Sequence, residues 1–250
     1  MTTKGNLNQL PSTPAGDALG TTAAQITRLI DQARTQGPLP SYVAVEGPIG
    51  VGKTTLANLL SNAFGYPKLL ENPEENPFLA RFYEQGNEYA LPTQLFFLLD
   101  RARQLGDLSK DDLLGNQLIA DFILEKDELF ASLTLDEEEM TLYQQISNSL
   151  NLQPPKPDLV IYLQASVDVL LERIHKRGIS QEMAIDAEYL EALNEKYTEF
   201  FHYYNDCPLL IVNANELDLT GPQEHFRLLL EQILQMSGTR QFFNPNPTLL

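Results

Sequence analysis

Residues 42–54 read Tyr42-Val43-Ala44-Val45-Glu46-Gly47-Pro48-Ile49-Gly50-Val51-Gly52-Lys53-Thr54. The residues before the first glycine predict a short strand, and residues 54–64 predict a helix. Between them lies the spacing Gly-x4-Gly-Lys-Ser/Thr. In it, glycines let backbone N–H groups turn toward phosphates, and the helix adds its positive N-terminal end. The stretch therefore predicts a P-loop that binds ATP.

The two polar residues at the end of the loop have separate predicted roles. Lys53 reaches the β- and γ-phosphates, and the Thr54 hydroxyl coordinates Mg²⁺. The motif alone leaves two alternatives open: a glycine-rich turn with a surface lysine, and a P-loop that binds nucleotide without catalysis. The residues of this segment predicted to bind ATP are Gly47, Pro48, Ile49, Gly50, Val51, Gly52, Lys53, Thr54 and Thr55.

Four further apolar segments alternate with helical segments, at residues 68–71, 116–121, 158–163 and 209–213. Such alternation predicts an α/β fold in which helices cover both faces of a parallel sheet, with the site at the carboxyl ends of the strands. We therefore predict a three-layer P-loop nucleoside triphosphate hydrolase-like fold with a five-stranded parallel sheet. Residues 134–137, Thr-Leu-Asp-Glu, predict a capping box that opens an acidic helix.

The two ends of the chain differ in composition from its centre. Residues 1–20 are rich in Thr, Pro, Asn and Gly, and residues 22–36 carry apolar side chains at helical spacing. We predict a flexible N-terminal tail with a short amphipathic helix at residues 1–40. One domain follows at 41–240, and a C-terminal tail at 241–250.

The chain is strongly acidic, with 17 basic and 34 acidic residues and a formal net charge of −17. Such a field repels nucleic-acid polymers and anionic membranes, so we expect neither as a partner. Cys207 is the only cysteine, which excludes an intrachain disulfide and fits a reducing cytoplasm. No apolar run approaches the roughly 20 residues that span a bilayer, and residues 1–20 lack a secretory signal core.

Glu71 follows the second predicted strand and should project into the same crevice as the P-loop. A carboxylate there could act as the base for an acceptor hydroxyl. The alternative is a solvated acid in a loop that also carries Glu74 and Glu75.

Beyond the P-loop, four sequence blocks together resemble the deoxynucleoside kinase family. They are residues 47–56; Glu71-Asn72-Pro73-Glu74-Glu75-Asn76-Pro77-Phe78-Leu79 with Phe82-Tyr83; Pro92-Thr93-Gln94; and residues 157–163 leading to Glu172-Arg173-Ile174. The blocks occur in family order over residues 42 to 235. The resemblance implies that the chain uses ATP and Mg²⁺ to phosphorylate the 5′-hydroxyl of a deoxynucleoside, a reaction of nucleotide salvage. It also implies that residues 41–240 form the kinase domain.

On the nucleoside side, the resemblance implies roles for four residues. Glu71 activates the 5′-hydroxyl, Tyr83 and Glu182 hold the 3′-hydroxyl, and Gln94 makes paired hydrogen bonds to the base. Tyr83 could instead be a packed aromatic, and Gln94 an exposed helix residue. Gln94 suits adenine, guanine or cytosine, so the base stays open.

On the phosphate side, the resemblance places Arg173 and Arg177 in a lid that closes over the phosphates. Asn213, Asn215 and Glu216 fall where the family wraps the ATP adenine. The two arginines could instead form a solvated helix face or pair with Glu172.

One departure concerns the third strand, after which the family has an acid, then Arg, then Ser. This chain reads Asp121-Phe122-Ile123. Asp121 can still serve the Mg²⁺ side and the substrate site, but Phe122 replaces the arginine. Lys126, one helical turn later, could bring a cation to similar space, or could pair with Glu125 or Asp127.

Two other functions stay open for this reason. One is a nucleoside-monophosphate kinase, which would need a further cation for the acceptor phosphate. The other is a catalytically weakened nucleotide-binding regulatory protein. The apolar helix around residues 95–99, and the usual state of the family, predict a homodimer.

Overall fold

The computed structural model describes residues 15–108, 117–152, 154–221 and 223–245. Its six strands are β1 (Tyr42–Glu46), β2 (Lys68–Leu69), β3 (Leu118–Ala120), β4 (Leu159–Gln164), β5 (Leu209–Asn213) and β6 (Arg240–Phe243). They form one parallel sheet in the order β2-β3-β1-β4-β5-β6. β1 lies between β3 and β4, and all three strands run parallel, so their carboxyl ends lie side by side at the P-loop.

Helices flank the sheet. They are α1 (Ala15–Gln36), α2 (Lys53–Phe64), α3 (Leu79–Gln85), α4 (Ala90–Leu108), α5 (Lys126–Thr134), α6 (Glu137–Leu150), α7 (Val167–Arg177), α8 (Ala187–Tyr203) and α9 (Glu224–Leu234). The helices pack in two groups: α1 contacts α2 and α9, and α5 contacts α4 and α8. The predicted α/β fold with a parallel sheet flanked by helices is confirmed.

The sheet has six strands rather than the predicted five. β6 begins at the last residue of the predicted domain, continues into the segment predicted to be a C-terminal tail, and pairs with β5 in the register Leu209 to Arg240. Its residues Arg-Gln-Phe-Phe are only partly buried at the sheet edge, so the segment lacks the apolar run that marks a buried strand. Residues 246–250 of that predicted tail lie outside the described residues.

One further local prediction was wrong, and one predicted helix is longer than expected. The capping box is formed by Asp136 and Glu139, because Thr134 still belongs to α5. The N-terminal helix is longer than predicted and begins at Ala15, and its Ile30 is buried in the main core. Residues 1–14 of the predicted flexible tail lie outside the described residues. Among the helices that the structure describes, none is long and apolar enough to cross a membrane.

Candidate active site

The P-loop connects β1 to α2 and has a backbone that requires glycine. Gly47 and Gly50 have φ values of 145° and 83°. A Cβ at Gly47 would lie 2.4 Å from the carbonyl oxygen of Leu163, and one at Gly50 would lie 2.8 Å from Cγ1 of Ile174. The loop therefore packs directly on β4 and α7, with no space for a larger residue at either position.

Lys53, at the first position of α2, folds back over this loop. Its Nζ donates hydrogen bonds to the carbonyl oxygens of Gly47 at 2.8 Å and Pro48 at 3.2 Å. Burial lowers the pKa of Lys53 to about 8, and the nearby charge of Lys126 acts in the same direction. The ammonium thus lies where the phosphates of ATP would replace carbonyl oxygens as its partners.

A buried carboxylate, Glu46, fixes the loop to the neighbouring strand. It accepts hydrogen bonds from the N–H of Gly47 at 3.0 Å, the N–H of Ile123 at 2.9 Å and the hydroxyl of Tyr197 at 3.0 Å. Burial raises the pKa of Glu46. Because these bonds join the start of the P-loop to the end of β3, they keep the loop in register with Asp121 and Lys126.

Thr54 and Asp121 form the candidate metal side of the site. The Thr54 hydroxyl donates to Oδ2 of Asp121 at 2.6 Å, and Oδ1 of Asp121 accepts the N–H of Glu71 at 2.9 Å. Burial raises the pKa of Asp121, and the Glu71 charge adds to the rise. Within the described ranges, no group of three or more His, Cys, Asp or Glu side chains is arranged so that it could hold a metal ion. One carboxylate and one hydroxyl suit Mg²⁺, which takes its other ligands from water and substrate phosphates.

Glu71 lies between two buried cations. Lys126 Nζ donates to Oε2 of Glu71 at 2.6 Å, and Arg101 pairs with Oε1. Burial alone would raise the pKa of Glu71, but the charges of Arg101, Lys126 and Lys53 lower it below its ordinary value. The Glu71 side chain is 16% exposed, so it is not a freely solvated loop acid.

Phe122 stands at the position where the family pattern predicts an arginine, and Lys126 lies one helical turn later. Phe122 is fully buried, with its ring centroid 5.4 Å from the guanidinium carbon of Arg101. Lys126 is 6% exposed, and its ion pair is with Glu71 rather than with Glu125 or Asp127. Position 122 therefore supplies no cation, and Lys126, one helical turn later, supplies the positive charge that pairs with Glu71.

Arg101 and Asp127 were not predicted from the sequence as residues of the site. Arg101 joins Glu71 to Asp127 through ion pairs, and both Arg101 and Asp127 are buried. A signal existed for Arg101, because it follows Gln94 by seven residues, which is two turns along the same face of α4. Asp127 gave no such signal, since it stands among other acids in α5.

One cavity brings most of the predicted residues together. Its lining includes Ile49, Gly50, Lys53, Thr54, Glu71, Tyr83, Gln94, Arg101, Asp121, Lys126, Arg177 and Glu182. Gln94 is 4% exposed, which excludes the alternative of an exposed helix residue. Tyr83 lines the cavity and also packs edge-on against Tyr189, with ring centroids 6.4 Å apart. Arg177 donates to Oε2 of Glu182 at 2.5 Å, so this pair borders the cavity from the end of α7.

A second cleft lies on the other side of Gly50. Its lining includes Gly50, Val51, Gly52, Thr55, Arg173, Arg177, Asn215 and Glu216, whereas Gly47, Pro48 and Asn213 line neither this cleft nor the first cavity. Arg173 donates to the carbonyl oxygens of Val51 at 3.1 Å, Ala214 at 2.7 Å and Leu217 at 3.1 Å. These bonds tie the P-loop to the segment after β5. They account for Arg173 better than a solvated face or a pair with Glu172.

Comparison with known proteins gives consistent results. A sequence profile described as deoxynucleoside kinase matches residues 43–236. A deoxyguanosine kinase of Bacillus subtilis (strain 168) is 43% identical over 157 residues, which cover 62% of this chain and 76% of that protein. A deoxyadenosine/deoxycytidine kinase of the same organism is 28% identical over 212 residues, which cover 82% of this chain and 96% of that protein.

Solved structures agree with these sequence matches. A deoxyadenosine kinase from M. mycoides, solved with the products dCMP and a flexible dCDP, has a TM-score of 0.68 and 29% sequence identity. The alignment covers 78% of this chain and 100% of that one. The same enzyme with bound dATP gives a TM-score of 0.65 and 31% identity, covering 76% of this chain and 98% of that one.

Proposed function

The chain belongs to the deoxynucleoside kinase family and phosphorylates deoxynucleosides with ATP as the phosphate donor, and we propose which of its residues carry out the transfer. The observation that carries the proposal is the position of Glu71. Its carboxylate lies in the same cavity as Lys53 of the P-loop and Gln94 of α4. A nucleoside whose base contacts Gln94 would direct its 5′-hydroxyl toward Glu71 and the γ-phosphate.

In this proposal, the Glu71 carboxylate accepts a hydrogen bond from the 5′-hydroxyl and orients it for in-line attack. Because its pKa is lowered, Glu71 is ionised but is a weak base. Phosphoryl transfer passes through a loose transition state that requires little early proton removal. The bond between the 5′-oxygen and the γ-phosphorus forms, the bond to ADP breaks, and the proton passes to Glu71. Lys53 and Arg177 stabilise the charge on the transferred group.

Mg²⁺ is the metal ion that Thr54 and Asp121 would hold, and when bound it neutralises phosphate charge. The hydrogen bond between these two side chains, which brings a hydroxyl and a carboxylate together, supports this assignment. Asn215 and Glu216 line the second cleft, which suits the adenosine part of ATP. We propose that Arg173 maintains the shape of this cleft and does not contact the phosphates, because its guanidinium already donates hydrogen bonds to backbone carbonyl oxygens.

For the nucleobase, we propose guanine. The relative with 43% identity is a deoxyguanosine kinase, which supports this choice. A kinetic panel of deoxyguanosine, deoxyadenosine, deoxycytidine and thymidine tests this. We expect the highest kcat/KM for deoxyguanosine, and a clear preference for deoxycytidine or thymidine would contradict the proposal.

The two alternative functions are not favoured. The relatives are nucleoside kinases, and the carboxylates of Glu71 and Glu182 in the cavity would repel the phosphate of a monophosphate acceptor. The absence of an arginine at Phe122 motivated the catalytically weakened alternative, but Lys126 still provides a cation that contacts Glu71. We also propose a cytoplasmic location, which the single free cysteine, Cys207, supports.

A homodimer through α4 and α6 is proposed from two exposed leucines. Leu99 on α4 is 50% exposed and Leu142 on α6 is 45% exposed, and these helices pack on each other. We expect the wild type to have the mass of a dimer in light scattering, and Leu99→Glu with Leu142→Glu to have that of a monomer. Tyr203→Glu, at a 76% exposed position on α8, is the matched control and should stay dimeric. A monomeric wild type would contradict the proposal.

A further inference from the structure

Thr134, the last residue of α5, holds the amide of Gln94 in one orientation. Its hydroxyl donates to the carbonyl oxygen of Phe130 at 2.8 Å, and its Oγ1 accepts Nε2 of Gln94 at 3.2 Å. A hydroxyl has one proton to donate. Because that proton is used on Phe130, the Gln94 atom that faces Thr134 must be a donor. The amide oxygen in its place would set two acceptors against each other.

The rest of the Gln94 amide faces the cavity. Gln94 is 4% exposed and lines the cavity, and its Oε1 accepts no hydrogen bond from the residues that the structure describes. An oxygen and one remaining N–H are therefore presented to the base in a fixed order. Such an order can distinguish two classes of purine. A 6-oxo purine has an acceptor at position 6 and a donor at N1, and a 6-amino purine has the reverse.

We propose that Thr134 is a specificity-determining residue that acts through Gln94, by fixing the amide in the orientation that pairs with a 6-oxo purine. This inference rests on the proposed function and its guanine preference. To pair with a 6-amino purine in the same pose, the amide must turn over. Turning over removes the hydrogen bond to Thr134 and places Oε1 against Oγ1, which disfavours the 6-amino substrate.

Deoxyinosine and deoxyadenosine test this directly, because their bases differ only at position 6 and in the N1 proton. The measured quantity is the ratio of kcat/KM for deoxyinosine to kcat/KM for deoxyadenosine. We expect the wild type to favour deoxyinosine. Thr134→Val keeps the side-chain shape and removes the acceptor, so it should lower the ratio about tenfold, the effect of one lost hydrogen bond. Thr134→Ser keeps the hydroxyl and should keep the ratio.

An unchanged ratio in folded Thr134→Val would overturn the inference, as would a loss of the preference in Thr134→Ser. Thermal unfolding of both variants shows whether they are folded, and Thr134→Ala, which also removes the acceptor, replaces the valine variant if that variant is unfolded. A wild type that phosphorylates nucleosides but favours deoxyadenosine would overturn the assigned orientation while leaving kinase activity intact. A wild type that phosphorylates no nucleoside would overturn the proposed function itself.

Discussion

Glu71→Gln is expected to lower kcat by about 10²- to 10⁴-fold, the usual contribution of a positioned acid–base group. The amide has nearly the same shape but cannot take the 5′-hydroxyl proton, and it leaves Arg101 and Lys126 without their shared carboxylate. ATP binding should be unchanged, because Glu71 does not line the second cleft, which we propose binds the adenosine part of ATP. Steady-state kinetics with deoxyguanosine and calorimetric titration with ATP measure the two effects.

The matched control for this substitution is Glu74→Gln, an exposed acid three residues later in the same segment. It should leave kcat unchanged. A Glu71→Gln enzyme with wild-type kcat would rule out Glu71 as the base. A parallel loss in Glu74→Gln would show that the acidic segment acts as a whole rather than through Glu71.

Lys126→Met is expected to lower kcat by about 10²-fold, comparable to the loss of one preorganised electrostatic contact in an active site. Methionine fits the buried volume of the lysine stem but removes the ammonium 2.6 Å from Oε2 of Glu71. Glu71 would then be held by Arg101 alone, and the site would have lost the cation that stands in for the arginine absent at Phe122. The affinity for ATP should change little.

Lys156→Met provides the comparison, since this lysine side chain is 77% exposed and lies 3.9 Å from Asp206 at the surface. It should retain full activity. If Lys126→Met retains wild-type kcat while folded, then the ion pair with Glu71 is structural, and the transfer does not depend on a cation at this position.

The fold could be predicted because its main features are formed by residues that are adjacent in the sequence. A strand, a glycine loop and a lysine-threonine pair are adjacent in the chain, so residues 42–54 carried the whole pattern. Glu71 and Gln94 were found because motifs frame them. β6 was missed because an edge strand is only partly buried, and its residues show no apolar run. The displaced capping box shows a similar limit, since two acids and one threonine within four residues offer alternative starts for α6.

The network around Glu71 was only partly predictable for a different reason. Lys126 could be predicted as the cation nearest the missing arginine, but its partner depended on how α5 packs against α4 and α8. Arg101 and Asp127 come together only through the tertiary contact of α4 with α5. Pairing of buried charges across two helices has no local sequence pattern beyond helical spacing, so the structure was needed to find it.

We propose that this cavity directs the γ-phosphate of ATP to a nucleoside hydroxyl. The direct measurement incubates the full chain with Mg²⁺ and ATP labelled at the γ-phosphate, and offers deoxyguanosine and dGMP as separate acceptors. We expect labelled dGMP to form from deoxyguanosine, with the label at the 5′-oxygen, and no labelled dGDP to form from dGMP. Labelled dGDP without labelled dGMP, or no transfer to either acceptor, would rule this function out.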